Sequence, residues 1–368
     1  MFFKSECYRL MNRYHITPPN KARKTLPLNL KKHNMSTKIL ATLLLVFSIA
    51  MAGFTQNTYA IKKTFHIASP GGWDYLAIND NELYVSHGNQ VNILNKTTGD
   101  SIGIINNTNG VHGIAFIPSL HKGYTSNGRL NNVTVFDLTT HKTLEQIATG
   151  QNPDAILYDE FSKQIITCNG RSNDLTIIDP VSSKVIATIP VGGKPETAVT
   201  NHAGKLYVNI EDKNEIVVVN TNTYKVEQHW SLGGAEAPTG LAMDVVTKRL
   251  FAGCEKMLIV MDANNGNIIS RLPIGDGCDG VAFDNATHTI YTSNGEGNMT
   301  VINEKGPKDF VTVSTVSTKR GARTITIDEG SHLLYLPTAE FEPLPADAKK
   351  GDRPKMRAGS FQVMVIGK

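Results

Sequence analysis

Apolar and polar positions along this chain alternate in short runs, and the runs return in a fixed order. LTIID (175–179) and VIATIPV (185–191) set β-branched residues against small or polar ones. Clusters of Gly, Asn, Asp and Pro such as NGRSND (169–174) and DPVSS (179–183) separate the runs. A period of two bounded by turn residues predicts strands. One stretch yields four of them in succession: 154–159, 163–169, 175–179 and 184–191.

That four-strand unit repeats. Its openings read GVHGIAF (110–116), NPDAILY (152–158), KPETAVT (194–200), APTGLAM (237–243), GCDGVAF (277–283) and GARTITI (321–327), and a further copy starts near Trp73. Pro153 and Pro195 are 42 residues apart, within the roughly 40–45 residues of a β-propeller blade. Openings near Trp73, Val111, Pro153, Pro195, Pro238, Cys278 and Ala322 predict an all-β, seven-bladed β-propeller with four-stranded antiparallel blades. One blade alone cannot cover both faces of its sheet, so residues 61–368 are expected to form one domain. IKKTFHI (61–67) precedes the first opening and FQVMVIGK (361–368) ends the chain. The N-terminal strand is therefore expected to close the last blade, pairing two edges that would otherwise invite aggregation. Blade 7 also holds PTAEFEPLPADAKKGDRPKMRAGS (337–360), a charged, proline-rich insertion where other blades turn tightly. It is expected to project at 338–360 from the face that carries the blade openings.

Residues 1–60 follow a different pattern. From Met35, the expected start, a lysine precedes an apolar run at 39–50 and then small residues, the layout of a secretory signal peptide. Cleavage after Ala52 or Ala60 would leave an exported chain, periplasmic or extracellular, without a membrane span. The run falls short of the roughly 20 residues a span needs. The leader holds nine of the 37 Lys and Arg and one of the 33 acids, leaving 28 bases, 32 acids and a net charge of −4. The basic balance of the whole chain thus belongs to the leader and gives no support to nucleic-acid binding. Cys168, Cys254 and Cys278 remain, an odd number that argues against a disulfide framework, although Cys254 and Cys278 sit where one bridge could join blades 5 and 6.

At IPVGGKP (189–195), LYVNIEDKNEIVVVN (206–220) and IYTSNGEGNMTVIN (290–303) the chain resembles the YVTN family of bacterial seven-bladed propellers, the YncE-like group. The likeness runs from about Ile61 to Lys368. Blade 1 departs from it with Trp73 where proline is usual, and blade 5 with GCEKM (253–257) in place of the asparagine turn. The resemblance implies an exported propeller related in fold to lactonases and to the large subunits of quinoprotein amine dehydrogenases. It transfers no catalytic residue.

Superposing the openings places Asp74, His112, Asp154, Glu196, Thr239, Asp279 and Arg323 at the mouth of a central channel, beside Trp73. Crowded carboxylates raise one another's pKa, and a cation relieves them. Asp154, Glu196 and Asp279 would suit Ca²⁺ or another divalent cation, and a hydrated polar funnel with no ion accounts for the same residues. The ends of the second strands bring His87, Asn127, Asn169, Asn294 and Glu211, with Arg129 and Arg171 in matched NGR turns. With Arg323 these arginines form a candidate anion site. His121, His202, His288 and His332 fall in turns on the opposite face and are expected to be ordinary surface residues.

No GxSxG elbow, HExxH helix or set of histidines fit for a copper cluster is present, and the GxG fragments at 275–277 and 295–297 precede no helix. A non-catalytic monomer that binds a small molecule, glycan or envelope protein at the channel mouth fits best. The alternative is a metal-assisted hydrolase or lactonase with His112 as base. Single-stranded DNA binding is a third reading, disfavoured by the negative mature charge and the 7% aromatic content. An oxidoreductase subunit is the weakest.

Overall fold

The computed structural model describes residues 58–345 and 354–368. The leader with its cleavage sites, and the tip of the blade 7 insertion, lie outside them. Seven four-stranded antiparallel sheets follow one another along the chain, each opening on its innermost strand, from blade 1 (Trp73–Asn79) to blade 6 (Cys278–Asp284). Blade 7 (Thr326–Asp328, Leu333–Thr338, Gln362–Gly367) takes Ala60–His66 as its outer strand, with Phe65 opposite Val363 and Thr64 opposite Met364. The innermost strands of neighbouring blades pack against one another all round, blade 7 against blade 1 included, so the ring is closed.

Alternation decides where the core lies. In blade 3, Ile165 and Ile178 point toward blade 2, packing with Tyr124 and Val135, while Ile166 and Ile177 point toward blade 4, packing with Val208 and Val217. Middle strands bury both faces, so they read as continuous apolar runs such as IVVV (216–219). The same arrangement recurs at every junction between neighbouring blades. Stability is thus held between blades and not within them.

The open question of a Cys254–Cys278 bridge is answered here, and one turn histidine proves to have a partner. Cys254 and Cys278 are free, buried thiols: Cys254 packs as a small apolar group in the core between blades 4 and 5, where burial pushes its thiol up to about 12, and Cys278 opens the inner strand of blade 6. His332 is exposed at its turn, as expected, and its Nδ1 lies 2.8 Å from Oδ2 of buried Asp284 in the preceding blade.

The inner strands carry the feature that builds the mouth. Their pairing with the second strand slips between Trp73 and Leu76, Val111 and Ile114, Pro153 and Ile156, Pro195 and Ala198, and Cys278 and Gly280. Each slip is a bulge that encloses one of Asp74, His112, Asp154, Glu196 and Asp279, and a bulge re-aims the side chain it carries. In blades 5 and 7 the inner strand begins only at Leu241 and Thr326, leaving Thr239 and Arg323 on irregular backbone just before it.

Candidate functional site: the channel mouth

Three of the gathered side chains form a tight group. Nδ1–H of His112 donates to Oδ2 of Asp74 at 2.5 Å and stands 3.8 Å from Oδ1 of Asp154, and donor atoms of all three lie within 4.8 Å of one another. Burial alone would hold the imidazole neutral, but its bond to Asp74 and the charge of Asp154 outweigh it and raise the His112 pKa. Gly128 makes room for the ring, since a Cβ there would stand 2.7 Å from Nε2 of His112. This is one physical reason for glycine in the first NGR turn.

On the far side Arg323 bonds to Oδ2 of Asp279, to the Trp73 carbonyl at 3.3 Å and to Oδ1 of Asp74 at 3.5 Å. Lys194 bridges Glu196 and Glu211. Asp154 has no such cation of its own. Burial and then the charge of Asp74 push its carboxyl up to about 7, against the pull of His112. Burial and Asp154 together push Glu196 up to about 9, and Glu211, accepting from Glu196 and Lys194, sits below the usual carboxylate range despite burial. Asp279 is also raised, by burial, although Arg323 opposes it.

These contacts alter the cation set. Glu196 and Asp279, expected to join Asp154 as ligands, are taken by Lys194 and Arg323, so the donor group that remains is Asp74, His112 and Asp154. The arginines do not converge either: Arg323 is tied to two aspartates, exposed Arg129 lines a surface hollow with Pro70, Gly71 and Gly88, and Arg171 is exposed on its own turn.

Asn127, Asn169 and Asn294 are fully buried inside their hairpins and stay away from the mouth. In each, a threonine two residues earlier donates to the amide oxygen, and the amide nitrogen donates across the turn. Asn169, for example, accepts from Thr167 at 2.9 Å and donates to Asp174 at 2.7 Å and Thr176 at 2.8 Å. Asn127 is held by Thr125, Asn132 and Thr134, and Asn294 by Thr292, Asn298 and Thr300. His87 takes their place in blade 1, bonded to Ser69 and the Gly71 carbonyl and stacked on Phe361 at 3.9 Å.

Three residues enter the site without having been expected, the first being Lys194, the bridge between Glu196 and Glu211. Tyr75 crosses the channel from blade 1 so that its hydroxyl reaches Thr197 Oγ1 in blade 4 at 3.3 Å, and burial among Asp154, Asp74, Asp279 and Glu196 raises its pKa. The corresponding residues elsewhere are Gly113, Ala155, Thr197, Gly240, Gly280 and Thr324, so one large side chain among small ones was the available signal. Phe341 comes from the blade 7 insertion, whose stem pairs Phe341 with Met356. Its ring lies 6.1 Å from that of Trp73, which stacks in turn on Phe361 at 5.4 Å. Trp73, Phe341, Gly321, Arg323, Arg320 and Pro354 border a cavity of about 650 Å³ open to the mouth. The indole Nε1 of Trp73 is buried without a hydrogen-bond partner among the described residues.

No family model matches the chain, and no curated protein matches it. Among solved structures it is similar to Kuenenia stuttgartiensis hydrazine synthase, with a TM-score of 0.63 and 14% identity over 77% of this chain and 95% of that one. Identity this low speaks for the fold alone. Among the described residues no helix is long and apolar enough to cross a membrane. The chain is a seven-bladed β-propeller with a polar, charge-paired mouth on its blade-opening face.

Proposed function

We propose that this is an exported, YVTN-like propeller that binds a ligand without chemistry, in the cavity beside the channel mouth. The observation that carries the reading is the wall formed by Trp73 and Phe341 next to Arg323. It puts apolar ring surface beside fixed charge, the usual make-up of a small-molecule pocket. The cations at the mouth, Arg323 and Lys194, are already engaged by carboxylates, which favours a ligand with a flat apolar face and hydroxyls, such as a glycan fragment, over a small free anion. Tyr75 across the channel favours binding at the mouth over passage through the ring.

A second reading, hydrolysis with His112 as base, draws support from the Asp74–His112 bond, which fixes the imidazole and leaves Nε2 without a hydrogen-bond partner among the described residues. Against it, Glu196 and Asp279 are engaged elsewhere and no nucleophile stands in hydrogen-bonding reach of His112 among the described residues. A thermal-shift screen of the chain from residue 61 against envelope glycans and sugar acids tests the two. Binding predicts stabilisation that Trp73→Ala removes and His112→Ala keeps. Turnover of an ester that His112→Ala abolishes, with no stabilising ligand, would replace the binding account with the hydrolase.

A further inference from the structure

On the face opposite the mouth, the aspartate that ends an inner strand caps its own turn and meets a donor from the next blade. Asp159 accepts from Thr200 at 2.8 Å, Asp284 faces Nδ1 of His332 at 2.8 Å, and Asp328 takes the Lys96 ammonium at 3.1 Å. Asp244 of blade 5 breaks the series. Its carboxylate, only 1% exposed, faces a second carboxylate, Glu304 of blade 6, with the His288 imidazole 4.0 Å away. Glu304 occupies the place that Lys96 holds in blade 1, since each lies six residues beyond the first residue of its third strand, Asn298 and Gln90, and donates its N–H to the carbonyl of the residue just before the second strand, His288 at 2.9 Å and Asn81 at 3.0 Å. The fold thus sets an acid where its own precedent sets a cation.

Asp244 is satisfied within its own turn, its Oδ1 accepting the Val246 and Thr247 N–H groups at 2.8 and 3.1 Å, but Glu304 is not. Thr247 Oγ1 is 2.7 Å from Asp244 Oδ2 and 3.2 Å from Glu304 Oε1, and its single hydroxyl hydrogen serves one at a time. Glu304 Oε2 is buried with no hydrogen-bond partner among the described residues. Burial and Asp244 raise the Glu304 pKa, as expected of an acid facing an acid. His288 is half exposed and can admit an ion from solvent.

We propose that Asp244, His288 and Glu304 bind a divalent transition metal of the zinc or manganese class that clamps blade 5 to blade 6. Their donor atoms lie within 4.8 Å of one another, so one central point is within reach of all three after small rotamer changes, at bond lengths of about 2.0–2.2 Å. One imidazole and two carboxylates suit this class better than Ca²⁺, which prefers oxygen throughout. Water would complete the shell on the exposed side. The site lies outside the channel mouth and does not depend on the ligand proposed there.

Zinc and manganese titrations of the metal-stripped chain, read by calorimetry and thermal unfolding, test the clamp. The expected result is one ion per chain at this site and a rise in Tm of about 5 °C in excess metal, both lost in His288→Ala and Glu304→Gln and kept in His112→Ala. Glu304→Lys, copying the Lys96–Asp328 pair, should raise the metal-free Tm and abolish the response. Absence of binding in the wild type, unchanged binding in Glu304→Gln, or loss in His112→Ala with retention in His288→Ala would each overturn the proposal.

Discussion

Asp154 governs how the mouth responds to pH. Its carboxyl titrates near 7 in the folded chain against an ordinary value of 3.8, so the fold holds a proton there that the unfolded chain gives up well below neutrality. The stabilisation is complete below the unfolded value and disappears as pH rises through about 7. The raised pKa of His112 acts in the same direction. Asp154→Asn keeps the neutral form at all pH. The variant should match the wild type near pH 4 and exceed its Tm by about 2–5 °C at pH 8, as measured by thermal unfolding across pH. A constant gap would mean that burial of Asp154 charge does not limit stability. At this scale the sequence was legible unevenly. The one-per-blade charged position was readable because it sits at a fixed offset in each opening. The inward turn of Asn127, Asn169 and Asn294 was not, because turn chemistry tells that a residue bends the chain and not where its amide is satisfied. The pairing of threonine two residues before each asparagine was the trace left in the sequence.

Strand positions followed from the period of two with little error, since burial on both faces makes the middle strands unmistakably apolar. Bulges were invisible, because they change pairing without changing pattern, and they are what aims Asp74, His112, Asp154, Glu196 and Asp279. The N-terminal strand was recognisable as a closure element by its place before the first opening. Phe65 anchors it, 4% exposed and packed with Leu83 and Tyr335 between blades 7 and 1. Phe65→Ala should cost about 3–5 kcal/mol in urea unfolding. A loss under 1 kcal/mol would show that the strand rests on the ring without fastening it.

Across the whole molecule, seven inter-blade cores joined into a closed ring leave the blades little independence, and the rigid rim that results holds side chains from distant parts of the chain together. Trp73 and Arg323 are separated by most of the domain and meet because blade 7 closes on blade 1. Composition and period could reveal the ring but not the cavity beside Trp73, whose wall includes Phe341 from the stem of the blade 7 insertion. Trp73 offers the most direct probe, as the chain holds only one other tryptophan, Trp230, packed between blades 4 and 5. In a Trp230→Phe background, titration with an envelope glycan that stabilises the protein should change Trp73 fluorescence saturably, and Phe341→Ala should weaken that response at least tenfold. Stabilisation with unaltered Trp73 emission would place the ligand elsewhere and contradict the account.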